Sequence, residues 1–134
     1  MRIHVLDASA MVAYLTAEPG GQIVRGMLLD AEAICYAHSI NLCEVYYDTL
    51  RGSGVQGAQQ ALSTLFADGV IERRDLSRLF WQTVGRLKSR GRISLADCFG
   101  IALAQKLGGE IVTSDHHEFD PLVPLGIVPI RFIR

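Results

Sequence analysis

The stretch RIHVLDASAMVAYLTAE, residues 2–18, changes character at Asp7. The residues before Asp7 form a short apolar run, which is typical of a buried strand. Residues 8–18 have the composition of a helix, and a Pro-Gly-Gly run follows them and ends it. A strand that leads directly into a helix is therefore the first structural unit that the sequence predicts.

The same alternation continues along the chain. The predicted strands cover residues 2–6, 33–37, 70–74, 110–114 and 127–132. The predicted helices cover residues 8–18, 21–31, 39–51, 55–67, 75–89 and 95–107, and Gly52-Ser53-Gly54 separates the third from the fourth. Short apolar strands that alternate with helices indicate an α/β fold with a mostly parallel sheet covered by helices.

Length and composition narrow the class of protein. A chain of 134 residues fits one domain, and its 49% hydrophobic content argues against disorder. There is no apolar run of about 18 residues, which argues against a membrane-spanning helix. His4 and Asp7 interrupt any signal-peptide core, so we expect no secretion signal. The chain has three cysteines, Cys35, Cys43 and Cys98. Their odd number and the absence of a CxxC pair favour reduced thiols in the cytoplasm.

Four acidic residues lie inside or at the end of apolar segments: Asp7, Glu44, Asp97 and Asp115. A carboxylate is costly to bury unless another group pairs with it. Asp7 and Asp115 each follow a predicted strand, and ligands of open parallel sheets bind at the carboxyl ends of the strands. A hard divalent cation, Mg²⁺ or Mn²⁺, is the simplest partner that all four could share.

Each of these residues also has a purely structural interpretation. Asp7 could cap the following helix, and Ser94 with Asp97 could form a pair that resembles a capping box. Asp115 could belong to a turn at the end of a strand, and Glu44 could be an exposed residue at the edge of its helix's apolar stripe. The helix at 95–107 is almost entirely apolar around Asp97, so the charge there needs a partner.

Positive charge is concentrated in one segment. Residues 71–92 contain seven basic and two acidic residues, a net charge of about +5 in a chain of net charge −1. Such a segment could attract a polyanion, or it could be a solvated helix face and loop. Four of its cations flank the turn that precedes the helix of Asp97: Arg86, Lys88, Arg90 and Arg92.

Four segments, in their order along the chain, resemble PIN-domain ribonucleases and specifically the VapC-like toxins of type II toxin–antitoxin systems. They are VLDASAMVAYL with Asp7, INLCEVYY with Glu44, RISLADCFGIALA with Asp97, and TSDHHEFDPL with Thr113 and Asp115. The likeness covers nearly the whole chain. The third and fourth segments are the most specific, whereas a lone Asp-x-Ser would mean little.

The resemblance implies a three-layer α/β/α fold, here a single PIN-like domain over residues 1–134. It implies an endoribonuclease that depends on Mg²⁺ or Mn²⁺, with the four carboxylates as the catalytic and metal-binding set. A metal-activated water would attack the phosphorus in line. Ser9 and Thr113 would not contact the metal but would orient a water molecule or a metal-binding carboxylate. Such proteins usually form homodimers and are held inactive by a small antitoxin.

The remaining polar residues divide into those with and those without an expected role. Arg86, Lys88, Arg90 and Arg92 are predicted to contact the RNA backbone. His116 and His117 are predicted to be polar loop residues, since adjacent histidines point in different directions. The sequence leaves open whether Glu118 and Asp120 contribute, and it does not identify the RNA target.

Two other functions compete with the ribonuclease. The main alternative is a non-catalytic RNA- or protein-binding module whose acidic pocket is purely structural. A phosphatase of the haloacid-dehalogenase type is disfavoured because it needs a second aspartate two positions after the first, where this chain has Ser9.

Overall fold

A five-stranded sheet in which all strands are parallel forms the centre of the molecule. The computed structural model describes residues 1–134 and orders the strands β3-β2-β1-β4-β5. The strands are β1 (Arg2–Leu6), β2 (Ala33–His38), β3 (Val70–Arg73), β4 (Glu110–Thr113) and β5 (Ile130–Phe132). The strand order reverses between β1 and β4, and that reversal is where open α/β sheets place their ligands.

Helices cover both faces of the sheet. They are α1 (Ala8–Leu15), α2 (Gly21–Leu29), α3 (Ser39–Ala67), α4 (Arg78–Ser89), α5 (Leu95–Leu107) and α6 (His116–Phe119), followed by a 3₁₀ helix (Asp120–Leu125). Buried side chains of α1, α2 and α3 share one core cluster, while those of α4 and α5 share another. The predicted α/β fold with three layers is thereby confirmed, with a sheet that is wholly parallel.

The two central strands supply both cores by alternation of their side chains. Val5 and Ile111 point toward α4 and α5, whereas Leu6 and Val112 point toward α1, α2 and α3. All four side chains are 0% exposed. Because both faces of these strands are buried here, apolar residues follow one another directly in the pairs Val5-Leu6 and Ile111-Val112, as expected of a parallel sheet.

The two helices predicted at 39–51 and 55–67 form one helix, α3, with a kink. Its only residue with non-helical backbone angles is Gly54, which has a φ of 74°. Gly54 can adopt this left-handed conformation because it has no Cβ, and the helix resumes directly after it. The predicted interruption is therefore a kink at one residue.

Helix α4 begins at Arg78, three residues later than predicted. The Ser77 hydroxyl accepts a hydrogen bond from the Phe80 amide at 3.3 Å and caps the helix. Asp75 instead forms ion pairs with Arg73 at 2.8 Å and Lys106 at 2.5 Å. These bonds from Arg73 and Lys106 hold the pKa of Asp75 well below its usual value. They fasten the connection between β3 and α4 to α5.

The segment between β4 and β5 contains structure that the sequence pattern did not predict. Helix α6 and the 3₁₀ helix fill residues 116–125, and β5 covers only Ile130–Phe132 of the predicted strand at 127–132. This segment is polar at its start and has prolines at positions 121 and 124, so it lacks the periodicity of a regular helix. Phe119 of α6 is fully buried and anchors the segment to the core.

The cysteines are free thiols. Burial raises the pKa of both Cys35 and Cys98 to about 11, so these two side chains act as small apolar groups in the core. No helix of the structure combines the length and apolarity needed to cross a membrane.

Gly20, just before α2, provides a test of the close contact with Ile133, just after β5. Its φ is +95°, and a Cβ there would lie 2.5 Å from the Ile133 carbonyl oxygen. We expect Gly20→Ala to lower the free energy of unfolding by about 2 kcal/mol or more, because it adds backbone strain and a clash.

The matched control is Gly85→Ala, in the exposed interior of α4, where a Cβ would meet nothing within 4 Å. That change should raise the stability by about 0.5–1 kcal/mol. Urea unfolding of the two variants measures both effects. Equal stability of the two variants would contradict the described contact between Gly20 and Ile133.

Candidate active site

An acidic cavity lies at the carboxyl ends of β1 and β4. Its volume is about 380 Å³, and Ser94, Ser114 and Arg134 are among its polar lining residues. Seven carboxylate side chains line it: Asp7, Glu18, Glu44, Asp48, Asp97, Asp115 and Glu118. The four carboxylates singled out in the sequence therefore all face one cavity.

Asp7 follows β1 and is the N-cap of α1. Its Oδ1 atom accepts hydrogen bonds from the Ala10 amide at 2.9 Å and from the Ser9 hydroxyl at 2.7 Å. The side chain is only 2% exposed. Burial raises the pKa of Asp7 to about 6, even though these hydrogen bonds partly oppose the rise. Asp7 is therefore a helix cap and a wall of the cavity at the same time.

Asp97 lies in the first turn of α5. The Ser94 hydroxyl caps this helix and accepts a hydrogen bond from the Asp97 amide at 3.1 Å. The Asp97 carboxylate is 9% exposed, and burial, followed by the negative charge of Asp7, raises its pKa to about 7. Only half of the capping-box alternative forms, because the Ser94 amide donates to Glu118 and the Asp97 carboxylate lines the cavity instead.

Asp115 and Glu118 come from the turn after β4 and from α6. The Oδ1 atom of Asp115 accepts a hydrogen bond from the Glu118 amide at 3.0 Å, which caps α6. One Glu118 carboxylate oxygen accepts a hydrogen bond from the Ser94 amide at 3.2 Å. Asp97, Asp115 and Glu118 each offer a ligand oxygen, and these oxygens all lie within 4.8 Å of one another.

Glu118 is one of the two acidic residues whose contribution to the site the sequence left open. The signal that could have identified it is its spacing of three residues from Asp115, which is the spacing of an N-cap and the third residue of a helix. The two residues do form that pair around the Glu118 amide. The short, unpredicted helix α6 thus brings Glu118 to the acidic cavity.

Glu44 approaches the cavity from α3. The Asn41 side-chain amide donates hydrogen bonds to a Glu44 carboxylate oxygen at 3.3 Å and to the Ala96 carbonyl oxygen at 3.2 Å. Asn41 is fully buried and so connects α3 to the start of α5. Burial raises the pKa of Glu44. Glu44 and Asp7 line the cavity but lie outside the closest group of three ligand oxygens.

Ser9 and Thr113 lie behind the carboxylates. The Ser9 hydroxyl donates to Asp7, accepts from the Ser114 amide at 2.9 Å, and lies 3.2 Å from the Thr113 hydroxyl oxygen. Thr113 is fully buried and accepts from the Asp115 amide at 3.0 Å. The two hydroxyls therefore connect the aspartate after β1 to the aspartate after β4.

The four predicted RNA-binding cations do not share one location. Arg90 and Arg92 line a second cavity of about 430 Å³, which has Glu118 in common with the acidic cavity. Arg86 donates to Thr83 at 3.1 Å on its own helix, and the Lys88 ammonium donates to the Ile93 carbonyl oxygen at 2.9 Å. Arg86 and Lys88 line neither cavity.

The two histidines, which were predicted to be loop residues, both lie in helix α6 and have different surroundings. His116 contacts Asp120 at 2.8 Å and the Arg134 carbonyl oxygen at 2.6 Å, and its ring stacks on Phe132. These contacts fix the segment after β4 against the end of the sheet. His117 lines the second cavity.

The electrostatics of the acidic cavity suit a cation. Its ligand groups are carboxylates, which are the oxygen donors that Mg²⁺ and Mn²⁺ prefer. Asp7 caps α1 and Asp97 lies in the first turn of α5, so both sit at helix ends that carry partial positive charge. The raised pKa values of Asp7 and Asp97 show that these helix ends alone do not offset the burial and mutual repulsion.

A family model described as PIN domain matches residues 4–121. The chain belongs to the PIN domain family. This PIN domain is 26% identical over 109 residues to Ribonuclease VapC of Mycolicibacterium smegmatis, with 78% of this chain and 84% of that protein covered.

Solved structures share the fold. VapC20 of Mycobacterium tuberculosis, described as a sarcin-ricin loop cleaving toxin, superposes with a TM-score of 0.69 and 18% identity, covering 96% of this chain and 98% of that one. A chain of a toxin–antitoxin complex from Klebsiella pneumoniae gives a TM-score of 0.70 and 16% identity, covering 98% of each chain. At these identities the likeness concerns the fold.

Asp97 gives the metal-free protein a pH-dependent stability. Its pKa in the folded protein, about 7, lies above its ordinary value of 3.8, so ionisation disfavours the folded state. The contribution of neutral Asp97 to the stability of the folded protein is fully present below the ordinary pKa of 3.8. It is lost as the pH rises through the folded-state pKa of about 7. We expect Asp97→Asn to melt several degrees higher than wild type at pH 8 in EDTA, with the difference vanishing near pH 4.

Thermal unfolding at several pH values measures this difference. Glu32→Gln is the control, since Glu32 is exposed and lies just before β2, at the opposite end of the sheet. A difference between Asp97→Asn and wild type that stays constant from pH 4 to pH 8 would contradict the account.

Proposed function

We propose that this PIN domain is an endoribonuclease that depends on a divalent cation. The observation that carries the proposal is the convergence of carboxylates on one cavity at the point where the strand order reverses, and five of the seven are the proposed metal-binding set. They come from four separate parts of the chain: Asp7 after β1, Glu44 on α3, Asp97 on α5, and Asp115 with Glu118 after β4.

The ligand set supports Mg²⁺ or Mn²⁺ as the cofactor. The closest group of oxygens belongs to Asp97, Asp115 and Glu118, with Asp7 and Glu44 on the same cavity wall. When bound, a divalent cation lowers the pKa of a coordinated water and stabilises the charge that develops on a phosphodiester. The chain's own part is to hold deprotonated carboxylates in fixed positions around it.

The hydrogen bonds of the site leave oxygen atoms free for that purpose. The hydrogen bonds from the Ser9 hydroxyl and the Ala10 amide both end on Oδ1 of Asp7, and the bond from the Glu118 amide ends on Oδ1 of Asp115. The second oxygen of Asp115 accepts none of these bonds and is available to a ligand, while Asp7 also receives a hydrogen bond from the Thr113 side chain. Ser9 and Thr113 serve as positioning residues, because their hydroxyls link the two aspartates through Asp7 and the Asp115 amide.

RNA is the proposed substrate, and a small antitoxin is the proposed partner. The relative named Ribonuclease VapC supports the activity, and the toxin–antitoxin complex with the same fold supports the partner. An arginine or lysine from an antitoxin tail would suit the acidic cavity and would compete there with the cation. A homodimer and a cytoplasmic location complete the proposal.

The cations near the site have a graded role in this proposal. Arg90 and Arg92 line the second cavity, which shares Glu118 with the acidic cavity, and they are the proposed contacts to the RNA backbone. Arg86 and Lys88 lie further along α4, where they add to the positive potential that attracts the strand.

Cleavage of RNA by purified protein tests the function. With millimolar Mg²⁺ or Mn²⁺, we expect wild type to cut single-stranded RNA and Asp7→Asn and Glu118→Gln to lower kcat/KM by about 100-fold or more, because each removes a charged ligand. Asparagine can still cap α1, so Asp7→Asn should remain folded.

Glu32→Gln is the control and should cleave like wild type, since its carboxylate lies away from the cavity. Equal cleavage by wild type and Asp7→Asn would remove the assignment of activity to this site. Binding of RNA without cleavage in either metal would favour the non-catalytic binding module.

A further inference from the structure

Half of the residues that line the second cavity are hydrophobic. It lies between the end of α4, the turn at 90–93 and the 3₁₀ helix, and its volume is about 430 Å³. Its apolar lining consists of Leu87, Ile93, Ile101, Leu122, Leu125 and Ile127. Small-molecule sites have this size and this composition, with a few polar groups at defined positions.

The polar groups of the second cavity favour an anionic, planar ligand. Arg90, Arg92 and His117 line it, and neither arginine forms an ion pair with an acidic side chain. Guanidinium planes and imidazole rings stack on unpaired nucleobases, and free arginines bind phosphates. Cations that the fold does not use for its own ion pairs are available to a ligand.

Glu118 connects this cavity to the acidic one. Its side chain belongs to the walls of both cavities, and its carboxylate is fixed by the Ser94 amide at 3.2 Å. A phosphodiester at the acidic cavity would therefore place a neighbouring nucleotide beside Arg90 and Arg92. The positive charges of Arg90 and Arg92 would also offset the repulsion that the carboxylates exert on RNA.

We propose that the second cavity binds a nucleobase of single-stranded RNA, next to the phosphodiester at the acidic cavity, and so sets the nucleotide preference of cleavage. The inference rests on the proposed ribonuclease function. The alternative is that apolar side chains of a protein partner bind to the apolar lining of this cavity. The two unpaired arginines and the shared Glu118 wall favour RNA, because a polyanion uses both features at once.

A substitution that fills the cavity separates these occupants. Leu125 is 61% exposed and lines the second cavity, while Val123, on the same 3₁₀ helix, is 53% exposed and does not line it. Leu125→Trp should therefore obstruct the cavity, and Val123→Trp is its matched control. Similar melting temperatures for the two variants would show that both are folded.

The readout is cleavage of a random-sequence RNA pool with Mg²⁺, followed by sequencing of the product ends. Wild type should show a nucleotide preference beside the cut. Leu125→Trp should weaken that preference and lower kcat/KM by about 10-fold, as loss of one base contact does, while Val123→Trp stays within about twofold of wild type. Unchanged preference and rate in Leu125→Trp would overturn the proposal.

Binding distinguishes failure of the subsite from failure of the proposed function. Anisotropy of a fluorescent single-stranded RNA in EDTA measures the subsite without catalysis, and Leu125→Trp should bind about 10-fold more weakly than Val123→Trp. If wild type cleaves no RNA, the proposed function fails, and equal RNA affinity of the two variants still overturns the subsite. Loss of antitoxin binding in Leu125→Trp with normal RNA binding would assign the cavity to the protein partner.

Discussion

Burial of neighbouring carboxylates at the carboxyl ends of β1 and β4 is the constraint on which the rest of the site depends. Burial and neighbouring negative charge raise the pKa of Asp7 to about 6 and that of Asp97 to about 7. A fold that needed only stability would place apolar residues there. The sheet instead brings these groups together where its strand order reverses, which is a position suited to a ligand.

Residues that cap helices also line the acidic cavity. Asp7 and Asp115 cap α1 and α6 through Oδ1, and Ser94 caps α5 through the Asp97 amide. The structural and functional interpretations of these residues are therefore compatible, because capping fixes each side chain and leaves an oxygen or a whole carboxylate for the cavity. The Asn41 side chain fixes Glu44 in a similar way, because its amide bonds both the Glu44 carboxylate and the Ala96 carbonyl oxygen at the start of α5.

The sequence predicted the parallel sheet and the four carboxylates because these depend on local patterns. Apolar runs ending in aspartate locate β1 and β4, and one charge in an apolar helix identifies Asp97. The role of Glu118 was left open because α6 is too short to have a periodicity. The late start of α4 was missed because Asp75 is held by Arg73 and by Lys106, which is distant in sequence.

Direct titration with Mn²⁺ tests the central claim that the acidic cavity binds a divalent cation. The paramagnetic resonance signal of free Mn²⁺ at pH 7.5 should show saturable binding to wild type and to Glu32→Gln. Asp97→Asn and Glu118→Gln should bind at least about 10-fold more weakly, since each loses a charged ligand. Absence of binding at millimolar Mn²⁺, or equal affinity in all four proteins, would contradict the account.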